Sequence, residues 1–400
     1  MGRHYFCGFW VLAVGAVTVA LGVSVAALAQ KSRGGDEIHV LNPKVLSVSS
    51  LPAERTAIGK PGDYKPCVAR LPSGELLLVA FHQNQLGGGK VREETILFRS
   101  ADGGLTWSER QVLDVLGREP YLTVLGDGTV FITVHLLAQD VRNKDGYTHS
   151  YVHRSADGGR TWTTTRIGPE GFAPRAETLT TRNVLELSDG TLLLGVAPNR
   201  GPEFLWRSTD RGRTWGRSSR CDMGGFRSSY SYFGEAVLWR TRLGKILSIN
   251  RVDSNEFPIV GRPVPAGQGD QRDHMTLWES VDSGRSWRKL RDVGDYGEMY
   301  PSVLRLRDGR LLLTFTVRDL MPPLGVHAVL GRERDGGFEF DFRHDRLVLD
   351  ANTPVGKPSG GGFGPSVQLE DGTLVTAYSY RGEDDATHLE IVRWRLPAER

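Results

Sequence analysis

The chain has 400 residues, of which 39% are hydrophobic and 24% charged, and a formal net charge of +3 at pH 7. Such a balance suits a soluble protein with a sizeable core. With no run of Lys and Arg and no basic helix beside it, nucleic acid is not the expected partner, whereas a small anionic substrate stays open.

At the N-terminus, Arg3 and His4 precede an apolar stretch from Phe9 to Leu28 that closes with Ala27-Leu28-Ala29 before Gln30. Residues 1–29 therefore read as a signal peptide cleaved after Ala29, with an uncleaved membrane anchor as the other reading. Either way the body, 30–400, is expected to be secreted, periplasmic or extracellular, and to meet a membrane only through an uncleaved anchor. Cys7 falls in the leader, so Cys67 and Cys221 are the remaining thiols. They allow one bridge at most and carry no metal-ligand spacing, so neither a metal nor another cofactor is expected.

Ile38 to Val48 reads as a strand with no hairpin partner of its own. From Pro66 onward one unit recurs: a small or Pro residue, an alternating apolar strand, an (Asp/Ser)-Gly turn and a second apolar strand. The first copy runs from Pro66 through Ser73-Gly74 to Leu78, the second from Pro120 to Ile132 around Asp127-Gly128. Further copies surround Asp189-Gly190, Leu243-Gly244, Asp308-Gly309 and Asp371-Gly372, six in all. Period-two alternation flanking such a turn predicts a β-hairpin, and the spacing of the turn glycines matches one four-stranded propeller blade per unit. No stretch of the body keeps a helical period, so the fold expected is an all-β six-bladed propeller. The last unit ends after His388 to Trp394 without a fourth strand, and Ile38 to Val48 is expected to supply it, joining the two ends of the chain.

Four units carry a second motif after the hairpin: Ser100 to Trp107, Ser155 to Trp162, Ser208 to Trp215 and Ser280 to Trp287, with Arg334 to Phe338 as a degenerate fifth. In each, an Asp is placed to accept backbone N–H groups, a Gly to adopt positive φ and a Trp to fill the space between blades. These Asp residues are folding devices rather than catalysts. Counting nine positions back from each turn glycine gives Lys65, Glu119, Thr181, Glu235, Tyr300 and Phe363. On a propeller these residues ring the channel mouth, where polar and aromatic side chains on an apolar scaffold make a binding site.

The S-x-D-x-G-x-T-W motifs are the Asp-boxes of the sialidase (neuraminidase) superfamily, and the chain resembles that family along its whole body. Gly234-Glu235 to Arg251 resembles the family's Glu-bearing strand and second Arg, Arg272 to Ser280 its third-Arg strand, and Tyr300-Pro301-Ser302-Val303-Leu304 its nucleophile segment. The resemblance implies Tyr300 as nucleophile, Glu235 as its partner, and Arg251 and Arg272 on the substrate carboxylate, with Arg318 a further candidate. The physical case is independent of the name: a ketosidic acid sugar carries a carboxylate on its anomeric carbon and repels a carboxylate nucleophile, whereas a neutral phenol beside a base is tolerated. Arg offers that carboxylate a planar fork that Lys cannot copy.

Two positions depart from the family. Its first Arg is replaced by Lys65 in Tyr64-Lys65-Pro66-Cys67, and its acid/base Asp has no counterpart between Phe81 and Ser100, where Glu93 and Glu94 stand instead. Glu94 is taken as the acid candidate, with an edge-strand charge as its ordinary fate; His82 reads as a packed loop residue. Three functions follow: an exo-glycosidase removing a terminal sialic acid or related acidic sugar, a non-catalytic propeller binding an acidic glycan, or a glycosidase or lyase for another polysaccharide using channel-mouth Glu residues.

Overall fold

A computed structural model describes residues 35–397 apart from 168–174, 199–202, 221–234, 256, 267–271, 319–322, 335–336, 351–352, 354–359 and 363. The leader, Cys221, Phe363 and part of the fifth Asp-box lie outside the described residues. The described chain is all β, with no α-helix. No described helix is long and apolar enough to cross a membrane.

Each repeat folds as an antiparallel sheet. The first holds Asp63–Arg70, Leu76–Gly87, Lys90–Ser100 and Gln111–Val112. The second holds Arg118–Val124, Val130–Leu136, His149–Ser155 and Thr163–Ile167. In the third, Thr178–Thr180 and Leu185–Glu186 share Leu192–Pro198, followed by Phe204–Ser208 and Gly216–Arg220. The fourth holds Val237–Arg240, Ile246–Val252, His274–Ser280 and Arg288–Val293.

The remaining strands form one eleven-stranded sheet. One half contains Glu298–Arg305, Leu311–Val317 and Gly325–Arg334, and the other contains Leu374–Arg381, Thr387–Trp394 and Ser50–Ile58. Glu37–Leu41 joins the halves by pairing with both Arg346–Val348 and Ser50–Ile58.

That arrangement corrects the expected closure. The partner of the C-terminal strand is Ser50–Ile58, in register from Ala53 opposite Trp394 to Ile58 opposite Leu389, and Glu37–Leu41 sits one strand away. Pro52, and the charged Arg55 at an inward position of Ser50–Ile58, hid it as a strand. Its preceding inward positions are nevertheless Leu51 and Ala53, both buried.

All six turns share one geometry: Leu71, Leu125, Leu187, Thr241, Leu306 and Leu369 each accept a hydrogen bond from the turn glycine three residues on, and each of those glycines has φ between 81° and 93°. The sheets pack face to face in chain order. Leu77 and Leu97 meet Leu122 and Ile132; Phe131 and Val152 meet Leu194 and Trp206; Leu193 and Leu205 meet Ile246 and Trp278; Leu247 and Leu277 meet Leu313 and Phe315. Leu312 and Ala328 meet Leu374 and Tyr378 across the two halves of the large sheet, and Val375 and Ile391 return to Val68 and Leu78 of the first sheet. The core is thus a circle of interfaces, each of which keeps apolar side chains out of water.

The four complete Asp-boxes latch that circle from outside. In the first, Ser100 Oγ donates to Asp102 (2.8 Å) and accepts from Gly104 N–H (2.8 Å), and Trp107 Nε1 donates to Gly104 O (3.2 Å). Arginines on the third strands reach the next sheet's box: Arg99 to the Gly158 and Gly159 carbonyls, Arg154 to Arg211 O, Arg207 to Ser283 O, and Arg393 from the last sheet to Gly103 O of the first. Thr161 and Thr214 donors hold Asp157 and Asp210 well below the usual carboxylate range, which keeps these groups in turn formation.

Candidate active site

Lys65, Glu119, Glu235 and Tyr300, picked out above by counting from the turn glycines, all have left-handed backbone, at φ 51°, 53°, 59° and 57°. Non-glycine residues are uncommon there, and such strain concentrates at functional sites. The local cause is visible in three of the four. Pro66, Pro120 and Pro301 follow directly and supply no N–H to the ladder, and the register slips between Tyr64 and Cys67, Arg118 and Tyr121, and Met299 and Ser302. Each slip re-aims one side chain out of its sheet.

These side chains meet. Lys65 Nζ lies 2.5 Å from Glu119 Oε1. Arg182 spans from Glu119 Oε2 (3.3 Å) to Glu235 Oε1 (2.8 Å). Arg251 Nη1 donates to Glu235 Oε2 (2.9 Å) and to the Tyr300 hydroxyl (3.3 Å), while its Nε reaches Asp273 (2.7 Å). Around the Tyr300 ring centroid stand Lys65 Nζ at 4.9 Å and the guanidinium carbons of Arg318, Arg251 and Arg182 at 5.2, 5.7 and 5.9 Å. Arg118 pairs with Glu119 and Glu93, each at 3.3 Å, and donates to the Tyr64 hydroxyl (3.1 Å). Residues from five successive repeats thus share one space, and Lys65 N–H donates to Ser379 Oγ of the sixth (3.2 Å).

Burial and charge set the protonation states. Burial works against the charge of Glu119, but Lys65, Arg118 and Arg182 outweigh it and hold the carboxyl well below its ordinary range. Glu235 is likewise lowered, as Arg251 and Arg182 overcome its burial. Lys65 falls to about 8 because it is buried, with Glu119 and Glu235 opposing. Tyr300 is raised by burial and by Glu235, against Arg318 and Arg251, so it stands as a neutral phenol. Burial lifts Glu93 to about 7, with Arg118 opposing, and lowers His135, at the same mouth, to about 4.

Of the residues named from the sequence, Tyr300, Glu235, Lys65, Arg251 and Arg318 come together. Arg272 does not join them: its Nη2 donates to Asn255 (3.0 Å), and its neighbour Asp273 faces Arg251 instead. Nor does Glu94, which pairs with Arg110 at 3.6 Å; on the same strand Glu93 points to the opposite, buried side, next to Arg118. Glu93 and Glu94 are adjacent residues of one strand and face opposite ways, so a one-residue choice selects the wrong face; Arg272 lies just before the strand His274–Ser280. His82 packs on Asp63 (2.9 Å). Buried Cys67 is a free thiol whose sulfur accepts from Leu122 N–H (3.2 Å). Arg182, Arg118, Tyr64 and Asp273 were missed, although Arg182, Arg118 and Tyr64 each adjoin a ring position. Among the described residues no group of His, Cys, Asp and Glu gathers in a way that would hold a metal ion.

Residues 54–314 match the BNR repeat-like domain. The chain belongs to the BNR repeat-like family. No curated protein matches it in sequence. Solved structures that share the BNR-repeat fold include a protein of unknown function from Dyadobacter fermentans, with 20% identity and a TM-score of 0.61 over 90% of this chain and 98% of that one. They also include the intramolecular trans-sialidase of Ruminococcus gnavus, solved with oseltamivir carboxylate, with 12% identity and a TM-score of 0.58 over 84% and 94%. A third is the GH93 α-L-arabinofuranosidase of Fusarium graminearum, solved with arabinobiose, with 14% identity and a TM-score of 0.55 over 90% and 97%. The BNR-repeat scaffold is therefore one shared with sialidases and with another glycosidase, and the side chains at its centre must carry any narrower assignment.

Proposed function

We propose that this chain is an exported six-bladed β-propeller that hydrolyses a terminal acidic sugar, sialic acid or a carboxylated relative, with Tyr300 as nucleophile. The observation that carries the reading is the neutral Tyr300 phenol set against Glu235 and Arg251 in a cluster where, among the described residues, the cations Lys65, Arg118, Arg182, Arg251 and Arg318 stand around the anionic carboxylates Glu119, Glu235 and Asp273, with Glu93 behind Arg118. An anionic sugar entering this space is drawn to those cations. Tyr300 Oη attacks the anomeric carbon as its proton passes to Glu235, and Arg251, in contact with both oxygens, stabilises the developing phenolate.

A two-carboxylate glycosidase is the second reading. Glu119 and Glu235 both accept from Arg182 Nη2, which places those oxygens about 6 Å apart at most, near the separation of a retaining pair. Both groups are held as anions, so neither supplies the proton that such a pair needs.

The test is turnover of fluorogenic glycosides, a sialoside and neutral sugars, by wild type, Tyr300→Phe and Glu119→Gln. The proposal expects sialoside turnover that Tyr300→Phe abolishes. Activity that survives Tyr300→Phe and dies in Glu119→Gln supports the carboxylate pair, and sialic acid binding without turnover by wild type makes the protein a lectin.

A further inference from the structure

The cluster contains a second phenol. Tyr64 is half-buried, its ring 4.4 Å from that of Phe81 at 45°, and it stands beside the same ammonium as Tyr300: Lys65 Nζ is 5.6 Å from the Tyr64 ring and 4.9 Å from the Tyr300 ring. Arg118 Nη2 donates to Tyr64 Oη at 3.1 Å. A guanidinium has no acceptor, so the Tyr64 hydrogen points elsewhere, and among the described residues it meets no acceptor. The hydroxyl is thus fixed by its acceptor side with its proton left to give.

The other acids near the cluster are poorly placed to give one. Glu119 and Glu235 are anionic, Asp273 is taken up by Arg251, and the Lys65 ammonium is held on Glu119. Glu93 is fully enclosed behind Arg118, and Glu94 is turned to Arg110. Resting on the Tyr300 reading above, we infer that Tyr64 is the general acid that protonates the departing glycosidic oxygen.

Tyr300 Oη bonds to the anomeric carbon while its proton goes to Glu235. The carbon–oxygen bond to the leaving group breaks, its electron pair stays on that oxygen, and the oxygen takes the Tyr64 proton. The resulting Tyr64 phenolate is held by Arg118. Water then attacks the anomeric carbon and gives one proton back to Tyr64; the bond to Tyr300 breaks, its electrons return to the phenol oxygen, and Glu235 returns the proton. Burial and Glu119 raise Tyr64 above the ordinary tyrosine value, against Arg118 and Arg318, which keeps it protonated between turnovers.

The experiment compares Tyr64→Phe with wild type on two substrates of one acidic sugar, an alkyl glycoside that needs protonation to leave and a 4-nitrophenyl glycoside that leaves as an anion. Removing a general acid costs about 10²–10⁴-fold where protonation is required, so kcat/KM should fall by at least about 100-fold on the alkyl glycoside and by less than about 5-fold on the aryl one. Equal losses on both, or no loss, overturn the inference while leaving Tyr300 intact as nucleophile. A wild type inactive on both, or a Tyr300→Phe variant that keeps full rate, overturns it together with the reading it rests on. If Tyr64→Phe does not fold, 3-fluorotyrosine at position 64 takes its place: its more acidic phenol, facing Arg118, Glu119, Lys65 and Arg318, should change kcat/KM on the alkyl glycoside and leave the aryl one unchanged, and an equal change on both, or none on either, overturns the inference.

Discussion

Two tyrosines in this chain each stand against a glutamate and an arginine. At the centre are Tyr300, Glu235 and Arg251; at the seam where the chain ends meet are Tyr378, Glu390 and Arg55. In the seam cluster all three residues lie on adjacent strands of one sheet, with Tyr378 opposite Glu390 and Arg55 opposite Val392. Arg55 donates to Tyr378 Oη (2.5 Å), Glu390 (3.1 Å) and the carbonyls of Gly35, Glu37 and Leu349, and Tyr378 donates to Glu390. Arg55 pairs with Glu390, Asp350 is close enough to act on Tyr378, every side chain of the three is buried, and the backbone is ordinary strand. In the central cluster Tyr300 comes from a different sheet than Glu235 and Arg251, Tyr300 and Glu235 lie on left-handed backbone, and among the described residues several further cations stand around them. The same three residue types act as a latch where they lie on adjacent strands of one sheet, and form a candidate site where they meet across two sheets on strained backbone within a cluster of further cations.

The comparison breaks if the two clusters respond alike to substitution. The largest effect expected is on activity. Glu235→Gln should lower kcat/KM by about 10²–10⁴-fold, as loss of a base does, while the unfolding free energy moves by less than about 1 kcal/mol, since Arg251 keeps Asp273 and Arg182 keeps Glu119. Denaturant titration beside kinetics checks it. Arg55→Met should do the reverse, costing about 3–5 kcal/mol because Glu390 is left as a buried charge without its cation, with the kcat of the folded fraction unchanged.

The smallest effect probes burial away from either cluster. His153 is fully buried, with Nε2 donating to Leu116 O (2.8 Å) and Nδ1 accepting from Thr164 (2.9 Å), and burial lowers it to about 4. The unfolded chain, near pKa 6.5, binds this proton first, so the stability contributed is full above about pH 6.5 and is lost as pH falls towards about 4. His153→Gln should flatten that part of the stability–pH curve by on the order of 2 kcal/mol relative to wild type; an unchanged slope would show that the imidazole is not buried neutral.

Much of this was legible in the chain. Short-range patterns determined the turns at Gly74, Gly128, Gly190, Gly244, Gly309 and Gly372, the strands beside them and the Asp-boxes, because each is stabilised by residues a few positions apart. The same count placed Lys65, Glu119, Glu235 and Tyr300 at equivalent positions, and Pro66, Pro120 and Pro301 explain why their backbones bend. Ser50–Ile58 was illegible as the closing strand, since its identity depends on a partner at the far end of the chain. Arg182, Tyr64 and the choice of Glu93 or Glu94 for the inner face could be settled by the tertiary structure alone: which ions neutralise one another depends on distances of a few ångströms between separate sheets, and no local pattern encodes those distances.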